Sequence, residues 1–412
     1  MSKIKKIIMA GHPLRENRGY IASWLPNLLQ YQLQKATNLP IFTIVPPNSK
    51  AYGIEENLIK FDYIKFFSFY NMGYNKYNWA ELFYNYEYNE KAQEYIKSIF
   101  EDSLVVSYEM DYCILNILDN LNIPYIDMYI SPVRFLDDQM FCMTTNNPEI
   151  YNKLLGYKLP EEQIHLQANY LTTFYRQRDL NYDIPNEPAV LFIGQTAYDR
   201  SLIDDEGKIY SILHHKEEFE ESIKGYKKIF YKRHPKAFGD EAVMEYIKTL
   251  ANVEIVKDNF YALCARPDIK KVVAISSGGV IEAQYFNKKT SNLLHPSVNL
   301  QYGSDFDKEK YINIYEHYFS INFWSDILSS IIETKKYDEN IGFYGIKNKL
   351  RNSRGFKDWW GYQDFDHEMI KIDANSPKSA SIKINKNVKK LARLLYHMTY
   401  NKNLLELYKS LD

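Results

Sequence analysis

Ile229-Phe230-Tyr231-Lys232-Arg233-His234-Pro235-Lys236 decides how the chain is read. It begins as a short apolar strand and ends in a run of charged or titratable side chains. Pro235 has no N–H for a sheet ladder, and it pushes His234 into an extended conformation. The strand therefore stops with Lys232, Arg233 and His234 at its carboxyl end. In open α/β sheets ligands bind outside that end, and a cationic cluster there suits a phosphate. A basic surface turn would use the same residues. Val272-Val273-Ala274-Ile275-Ser276-Ser277-Gly278-Gly279-Val280-Ile281-Glu282-Ala283 separates the two readings, as a second apolar strand running into a Ser/Gly turn and a helix start. Two such strand-to-turn sites in one half of the chain point to a single nucleotide-phosphate pocket.

Outward from this pair, strands are predicted at 189–195, 253–256 and 292–294, with helices at 217–222, 241–250 and 282–286. The first half repeats the alternation. Strands are predicted at 4–10, 40–45, 104–108 and 124–130, and helices at 21–35, 79–84, 90–100 and 111–120. A helical stretch over 148–180 carries Leu154, Leu155, Leu166, Tyr170, Leu171 and Phe174 as its apolar stripe. Alternating strands and helices imply parallel sheets. The polar, proline-bearing Asn181-Tyr182-Asp183-Ile184-Pro185-Asn186-Glu187-Pro188 is the natural boundary. The expected fold class is α/β, with two Rossmann-like domains facing across a cleft (1–184 and 185–345) and C-terminal helices in an extension over 346–412 that can pack back on the first domain. A helix over 315–333 is expected to pack on the second domain.

The 412 residues suffice for two cores, and the formal net charge of -1 supplies no global field for nucleic acid. Cys113, Cys142 and Cys264 are far apart, odd in number and without metal-ligand spacing, as buried thiols in a reducing compartment would be. No apolar run is long enough to span a bilayer. Ile7-Ile8-Met9-Ala10 follows a basic start but is too short for a signal peptide and is interrupted by Gly11-His12-Pro13. It reads as a first strand, in a protein expected to be cytoplasmic. Beyond Pro377, Lys378, Lys383, Lys386, Lys389, Lys390 and Arg393 alternate with Ile382, Ile384, Val388, Leu391, Leu394 and Leu395. Such a face can rest peripherally on an anionic inner-membrane surface, or be the solvated side of a closing helix.

Asp199 lies in the polar loop Gln195-Thr196-Ala197-Tyr198-Asp199-Arg200-Ser201 after a strand end, on the same side as His234. It suits a nucleophile or general base, or a helix cap. Glu109 and Asp127 stand at or near strand ends of the first domain, where they can face Asp199, and paired carboxylates are what glycosyl chemistry needs. Each also reads as a cap or ion-pair partner. Arg134 can grip a sugar carboxylate in bidentate fashion. Ser276 and Ser277 offer hydroxyls at a helix N-terminus, Glu282 in its first turn can accept from a ribose or merely offset the helix dipole, and His12 can seat an acceptor. The D-x-D pairs Asp305-Phe306-Asp307 and Asp364-Phe365-Asp366 fall in late polar loops rather than after an early strand, so a metal site is not expected.

In order, Gly194-Gln195…Asp199…Ser201, Lys232-Arg233-His234-Pro235 and Ser276-Ser277…Glu282-Ala283 resemble the motif set of bacterial capsule-type β-Kdo transferases. Bacterial sialyltransferases and wall-polymer glycerophosphotransferases share the His-Pro and Ser-Ser elements more distantly. The resemblance spans roughly 100–330 and is strong only in the second domain. It implies a GT-B-like fold, CMP-β-Kdo as donor, a surface-polysaccharide or lipid-linked glycan as acceptor, and neither cofactor nor Mg at the transfer centre. It also implies Asp199 as nucleophile of a retaining double displacement, and His234, Ser276 and Ser277 on the CMP phosphate. Glu282 would bind the ribose, with Glu109 or Asp127 as acid/base. Family members carry acidic-acidic-Gly-Phe-x-x-Arg where this chain has Asp127-Met128-Tyr129-Ile130-Ser131-Pro132-Val133-Arg134. Rival expectations are another CMP- or CDP-activated donor, such as sialic acid or glycerol phosphate, and a non-catalytic nucleotide- or polysaccharide-binding scaffold.

Overall fold

A computed structural model describes residues 4–15, 19–47, 57–178, 187–196, 199–234, 237 and 239–338. Their strands are β1 (Lys6–Gly11), β2 (Ile41–Val45), β3 (Leu58–Lys60), β4 (Ser103–Tyr108), β5 (Tyr125–Ile130), β6 (Phe141–Thr145), β7 (Ala189–Ile193), β8 (Lys228–Lys232), β9 (Val253–Val256), β10 (Ile269–Ala274), β11 (Lys289–Asn292) and β12 (Ile312–Ile314). The first sheet has the order β12-β6-β5-β4-β1-β2-β3 and the second β11-β10-β7-β8-β9. The second is parallel throughout, and in the first only β6 runs against its neighbours β5 and β12. Every residue of β4 and β5 is buried. Helices cover both faces of such a sheet, so its strands read as continuous apolar runs and not as alternating ones. Helix Glu90–Phe100 shows the covering pattern: Ala92, Ile96, Ile99 and Phe100 are buried, and the Asn89 side chain caps the Ala92 N–H.

The two α/β units expected from the alternation are present, with differences that have physical causes. β3, β6 and β12 were not expected. Leu58–Lys60 and Ile312–Ile314 are three-residue edge strands, too short for a periodic signal. Phe141-Cys142-Met143-Thr144-Thr145 was hidden because it pairs antiparallel with β5 through a short connection, without the helix that announces a parallel neighbour. β12 also changes the course of the chain. After β11 it returns to the first sheet, and helix Ile321–Leu328 packs against helices Gly19–Thr37 and Pro148–Gly156, so the expectation that 315–333 packs on the second domain is corrected. The 148–180 stretch is two helices, Pro148–Gly156 and Glu161–Arg178. The second turns Ile164, Ala168 and Tyr175 inward while Leu166 and Tyr170 are 69% and 62% exposed, which places the stripe on the other face. Three stretches fall outside the described residues: most of the expected boundary (181–186), Pro235-Lys236, and the extension with its basic stretch and second D-x-D.

Residues that follow carboxyl strand ends of one sheet touch those of the other. The loop after β7 closes on itself through the Ile203–Ile209 bridge and lies against the first unit, with Ile203 a member of the same buried core as Phe83 and Ile114. Gly207, at φ +76, sits so close to Glu81 that an added Cβ would lie 2.6 Å from its Cα. His295 Nε2 bonds the Ile203 carbonyl at 2.8 Å and fixes the turn from behind. This docking carries Arg200, seven residues past the end of β7, into the first unit. No helix among the described residues is long and apolar enough to cross a membrane.

Candidate functional site

Each sheet has one place where the strand order reverses, and ligands of open α/β sheets bind outside such switch points. In the first sheet it lies between β1 and β4, and in the second between β7 and β10. His12 follows β1 and Glu109 follows β4. His12 Nε2 stands 2.9 Å from Glu109 Oε2, with both side chains largely withdrawn from solvent. Both backbones are in the left-handed region, at φ 35 and φ 49. Ten described non-glycine residues have positive φ, seven of them Asn or Asp, so His12 and Glu109 are two of only three others. Such conformations persist where surrounding structure enforces them, and they concentrate at working sites.

Arg200, buried, holds its Cζ 4.4 Å over the Tyr129 ring and its Nε 4.0 Å from Glu109 Oε2. Burial is the strongest influence on Glu109 and opposes its charge. Arg200, then the His12 and Tyr108 contacts, outweigh it and hold the carboxyl pKa down at about 2. Burial lowers the His12 pKa against the pull of Glu109, so the imidazole is neutral. The pair is thus a carboxylate accepting from Nε2–H, a tautomer that leaves Nδ1 with a lone pair. Among the described residues Nδ1 is buried without a hydrogen-bond partner, and so is one terminal guanidinium nitrogen of Arg200.

Asp127 behaves differently. It is completely buried, and its Oδ1 accepts from Ser107 Oγ (2.6 Å) and Met110 N (3.1 Å) while Oδ2 accepts from Tyr311 Oη (2.6 Å). Burial pushes its pKa up to about 6 in spite of those bonds. It ties β4, β5 and the returning segment together.

At the second switch point the polar groups satisfy one another. Gln195 Oε1 accepts from the Ser276 N–H at 2.7 Å, and Gln195 Nε2 donates to the Ser201 and Ser276 hydroxyls at 3.3 and 3.4 Å. The buried Ser276 hydroxyl donates to the Ser201 carbonyl. Asp199 Oδ1 accepts from Ser201 N at 3.0 Å, the cap expected as its structural alternative, while the residue stays half-buried. Ser277 Oγ takes the Gly279 N–H at the start of helix Gly278–Tyr285, whose N-terminal N–H groups and dipole favour an anion. Gly194 brings β8 close: a Cβ there would meet Tyr231 Oη at 2.6 Å and the His234 backbone N at 3.2 Å. That places His234 beside the β7 exit.

The neighbouring cations are engaged. Arg233 makes a bidentate pair with Asp240 (2.9 and 2.6 Å), and Lys232 Nζ bonds the Asp258 carbonyl. Arg233 was expected on the phosphate; its fork geometry is instead matched by a carboxylate of its own loop. Glu282 was expected on a ribose. It is buried, and its Oε1 accepts from the Arg134 backbone N–H (2.7 Å) and Tyr261 Oη (2.8 Å), which ties the helix to the loop after β5. Burial raises its pKa to about 7. Pro132 of that loop lies against Gly278, where a Cβ would come within 2.9 Å of it. Asp307 of the first D-x-D pairs with Lys310 at 3.1 Å and bonds the Glu309 N–H.

Thus His12 and Glu109 are brought together, as are Gln195, Ser276 and the Asp199 loop, while Asp127 and Arg233 are committed elsewhere. Arg200 and Tyr261 were missed. The signal for Arg200 was a lone cation between Asp199 and Ser201, inside a loop already singled out.

No family model matches the chain, and no curated protein does. Among solved structures it is similar to Thermosulfurimonas dismutans KpsC, β-Kdo 2,7 transferase (15% identity, 51% of this chain and 71% of that one, TM-score 0.31). It is also similar to the β-Kdo 2,4 transferase of the same KpsC (16% identity, 51% and 75%, TM-score 0.30). A third is Methanocaldococcus jannaschii UDP-GlcNAc 2-epimerase in complex with UDP-GlcNAc and UDP (10% identity, 87% and 99%, TM-score 0.27). Likeness at this level assigns no role to any residue; the roles proposed below rest on motifs and geometry.

Proposed function

We propose that the chain is a glycosyltransferase that moves Kdo from CMP-β-Kdo to a bacterial surface-polysaccharide or lipid-linked glycan, with retention through an adduct on Asp199. The observation that carries this reading is the meeting of two switch points through one loop. Asp199 caps that loop on the side of the Ser276–Ser277 turn, and its neighbour Arg200 reaches the Glu109 carboxylate of the first sheet. Such a site can seat an activated donor on one sheet edge and an acceptor hydroxyl on the other. Donor phosphate would take the helix N-terminus at Ser277 with His234 beside it, stabilising the departing CMP. Lys232 adds positive charge at the same edge. Asp199 would attack the anomeric carbon from its second carboxylate oxygen, CMP would leave, and the acceptor alcohol would displace Asp199 in turn. The chemistry routes nothing through a metal or cofactor.

Intact-protein mass after incubation with CMP-Kdo generated in situ tests this. Wild type gains one Kdo, and Asp199→Ala does not. CMP release without an adduct in either protein would replace the double displacement with direct transfer. Absence of both adduct and CMP release would sink the CMP-Kdo assignment and turn the search to other CMP- and CDP-activated donors.

A further inference from the structure

We infer that the base taking the acceptor's proton is His12 through its Nδ1, with Glu109 as the residue that positions it. This inference rests on the transferase reading above. Three observations support it. Glu109 fixes the ring by accepting from Nε2 at 2.9 Å, so the opposite ring nitrogen is the acceptor. Among the described residues that nitrogen is buried with no hydrogen-bond partner, a costly condition unless a ligand completes it. A second orphan, a guanidinium nitrogen of Arg200, belongs to a side chain on the same Glu109 oxygen, 4.0 Å from its Nε. One orphan accepts and the other donates. A hydroxyl, which does both, matches this complement of groups, whereas a carboxylate would match only Arg200 and face the Glu109 charge.

Glu109 is the poorer base. Its carboxyl pKa is held near 2, far below a working pH near neutrality, and its lone pairs already serve His12 and Arg200. The groups facing His12 are Glu109 and Tyr108 from the β4 end, Arg15 from its own loop and Asp111 beyond Glu109, while Arg200 from the second unit stands against the same Glu109 carboxylate. Burial dominates among these influences and keeps the ring unprotonated at neutral pH. In the second half-reaction the acceptor O–H proton passes to Nδ1. The oxygen lone pair forms the bond to the anomeric carbon as the ester bond to Asp199 breaks, its electrons returning to the carboxylate. The imidazolium then releases its proton to solvent. The first half-reaction needs no base.

The test uses the full chain, CMP-Kdo generated in situ, water as acceptor, and His12→Asn, because Asn tolerates the positive φ at position 12. Wild type releases CMP continuously. The variant should release about one equivalent, retain the adduct by intact mass, and then turn over at least ~100-fold more slowly. Sodium azide, a nucleophile with no proton to lose, should restore its turnover. Continuous CMP release by the variant at the wild-type rate overturns the inference. So does loss of the first equivalent together with adduct formation while wild type keeps both, since that places His12 in the donor step. If wild type itself neither releases CMP nor forms an adduct, the transferase reading fails, and nitrogen NMR of the His12 ring still decides the base. Protonated Nε2 with bare Nδ1 sustains the proton-accepting nitrogen; protonated Nδ1 overturns it.

Discussion

The two switch points are built by opposite means. At the second, side chains and backbone close a complete circuit: Gln195, Ser201 and Ser276 satisfy one another, and Ser277 caps its own helix. At the first, two residues are held in left-handed backbone, one carboxylate serves two partners, and two buried nitrogens have none among the described residues. A satisfied circuit makes a rigid edge whose remaining resources are backbone N–H groups and a helix dipole, suited to binding an anion. An unsatisfied one keeps hydrogen-bonding capacity in reserve for a group that arrives later. Rigid binding and reserved chemistry are thus divided between the sheets, with the Asp199–Arg200 loop belonging to one and completing the other.

The largest effect should come from breaking that loop's contact. Arg200→Ala removes the cation beside a buried carboxylate, and loss of one partner of a buried pair costs about 3–5 kcal/mol. Urea unfolding of wild type and variant measures it. Glu109 also gives the comparison a pH signature. Its folded pKa, about 2, lies below the ordinary carboxyl value of 4.5, so its contribution is fully present above 4.5 and is lost as pH falls through 2. Wild type should lose stability in that window, and Arg200→Ala should show a flattened loss because its Glu109 pKa is higher to begin with. An unchanged acid limb in the variant would mean that Arg200 does not hold the carboxylate.

Glu282 has the opposite sign. Its folded pKa, about 7, is raised above 4.5, so its contribution is fully present below 4.5 and is lost as pH rises through 7. Glu282→Gln keeps an acceptor for the Arg134 N–H and Tyr261 hydroxyl without the buried charge. It should be more stable than wild type at pH 8, by up to about 3 kcal/mol, and little different at pH 4.5. Equal stability at both pH values would show that the carboxylate is solvated and free to serve a ribose.

A smaller change tests the closed circuit. Gln195→Ala leaves the Ser276 N–H unsatisfied and should cost about 1–3 kcal/mol. Because the circuit sets the edge on which CMP would sit, weaker CMP binding should accompany it, measured by calorimetry. Full CMP affinity in a destabilised variant would uncouple the edge from the nucleotide.

Much of this division was legible in the sequence, and its limits were physical. Strands such as Leu104–Tyr108 announce themselves because a parallel sheet buries both faces, and the Ser-Ser-Gly-Gly turn because only small residues fit where Gly278 meets Pro132. Motif order drew Gln195, His234 and Ser276 to one edge. Spacing could not show that Asp240 takes Arg233 or that Glu282 turns to Arg134, because these are choices among nearby partners made in three dimensions. The return of β12 was hidden for a related reason. A three-residue strand earns its place from the Cys142 and Met143 backbone it pairs with, and carries little pattern of its own.

Asp127 is the mildest and most discriminating change. By sequence it and Glu109 were equal candidates for acid/base, and their surroundings separate them. In Asp127→Asn the remaining carbonyl oxygen can still accept from Ser107 Oγ and Met110 N, and the amide can donate to a rotated Tyr311 hydroxyl. The net cost should be about 1 kcal/mol or less. It should shrink as pH rises through 6, where the wild-type carboxyl, raised from 3.8, takes on a buried charge. CMP release and transfer should survive nearly intact, whereas Glu109→Gln, which disturbs the tautomer of His12, should lower transfer by ~100-fold or more with the first equivalent of CMP preserved. A reversal of that order, with Asp127→Asn inactive and Glu109→Gln competent, would move the chemistry from the switch point into the sheet interior. That outcome would require Ser107, Met110 and Tyr311 to release the carboxylate in each cycle, three hydrogen bonds broken where His12 Nδ1 needs none.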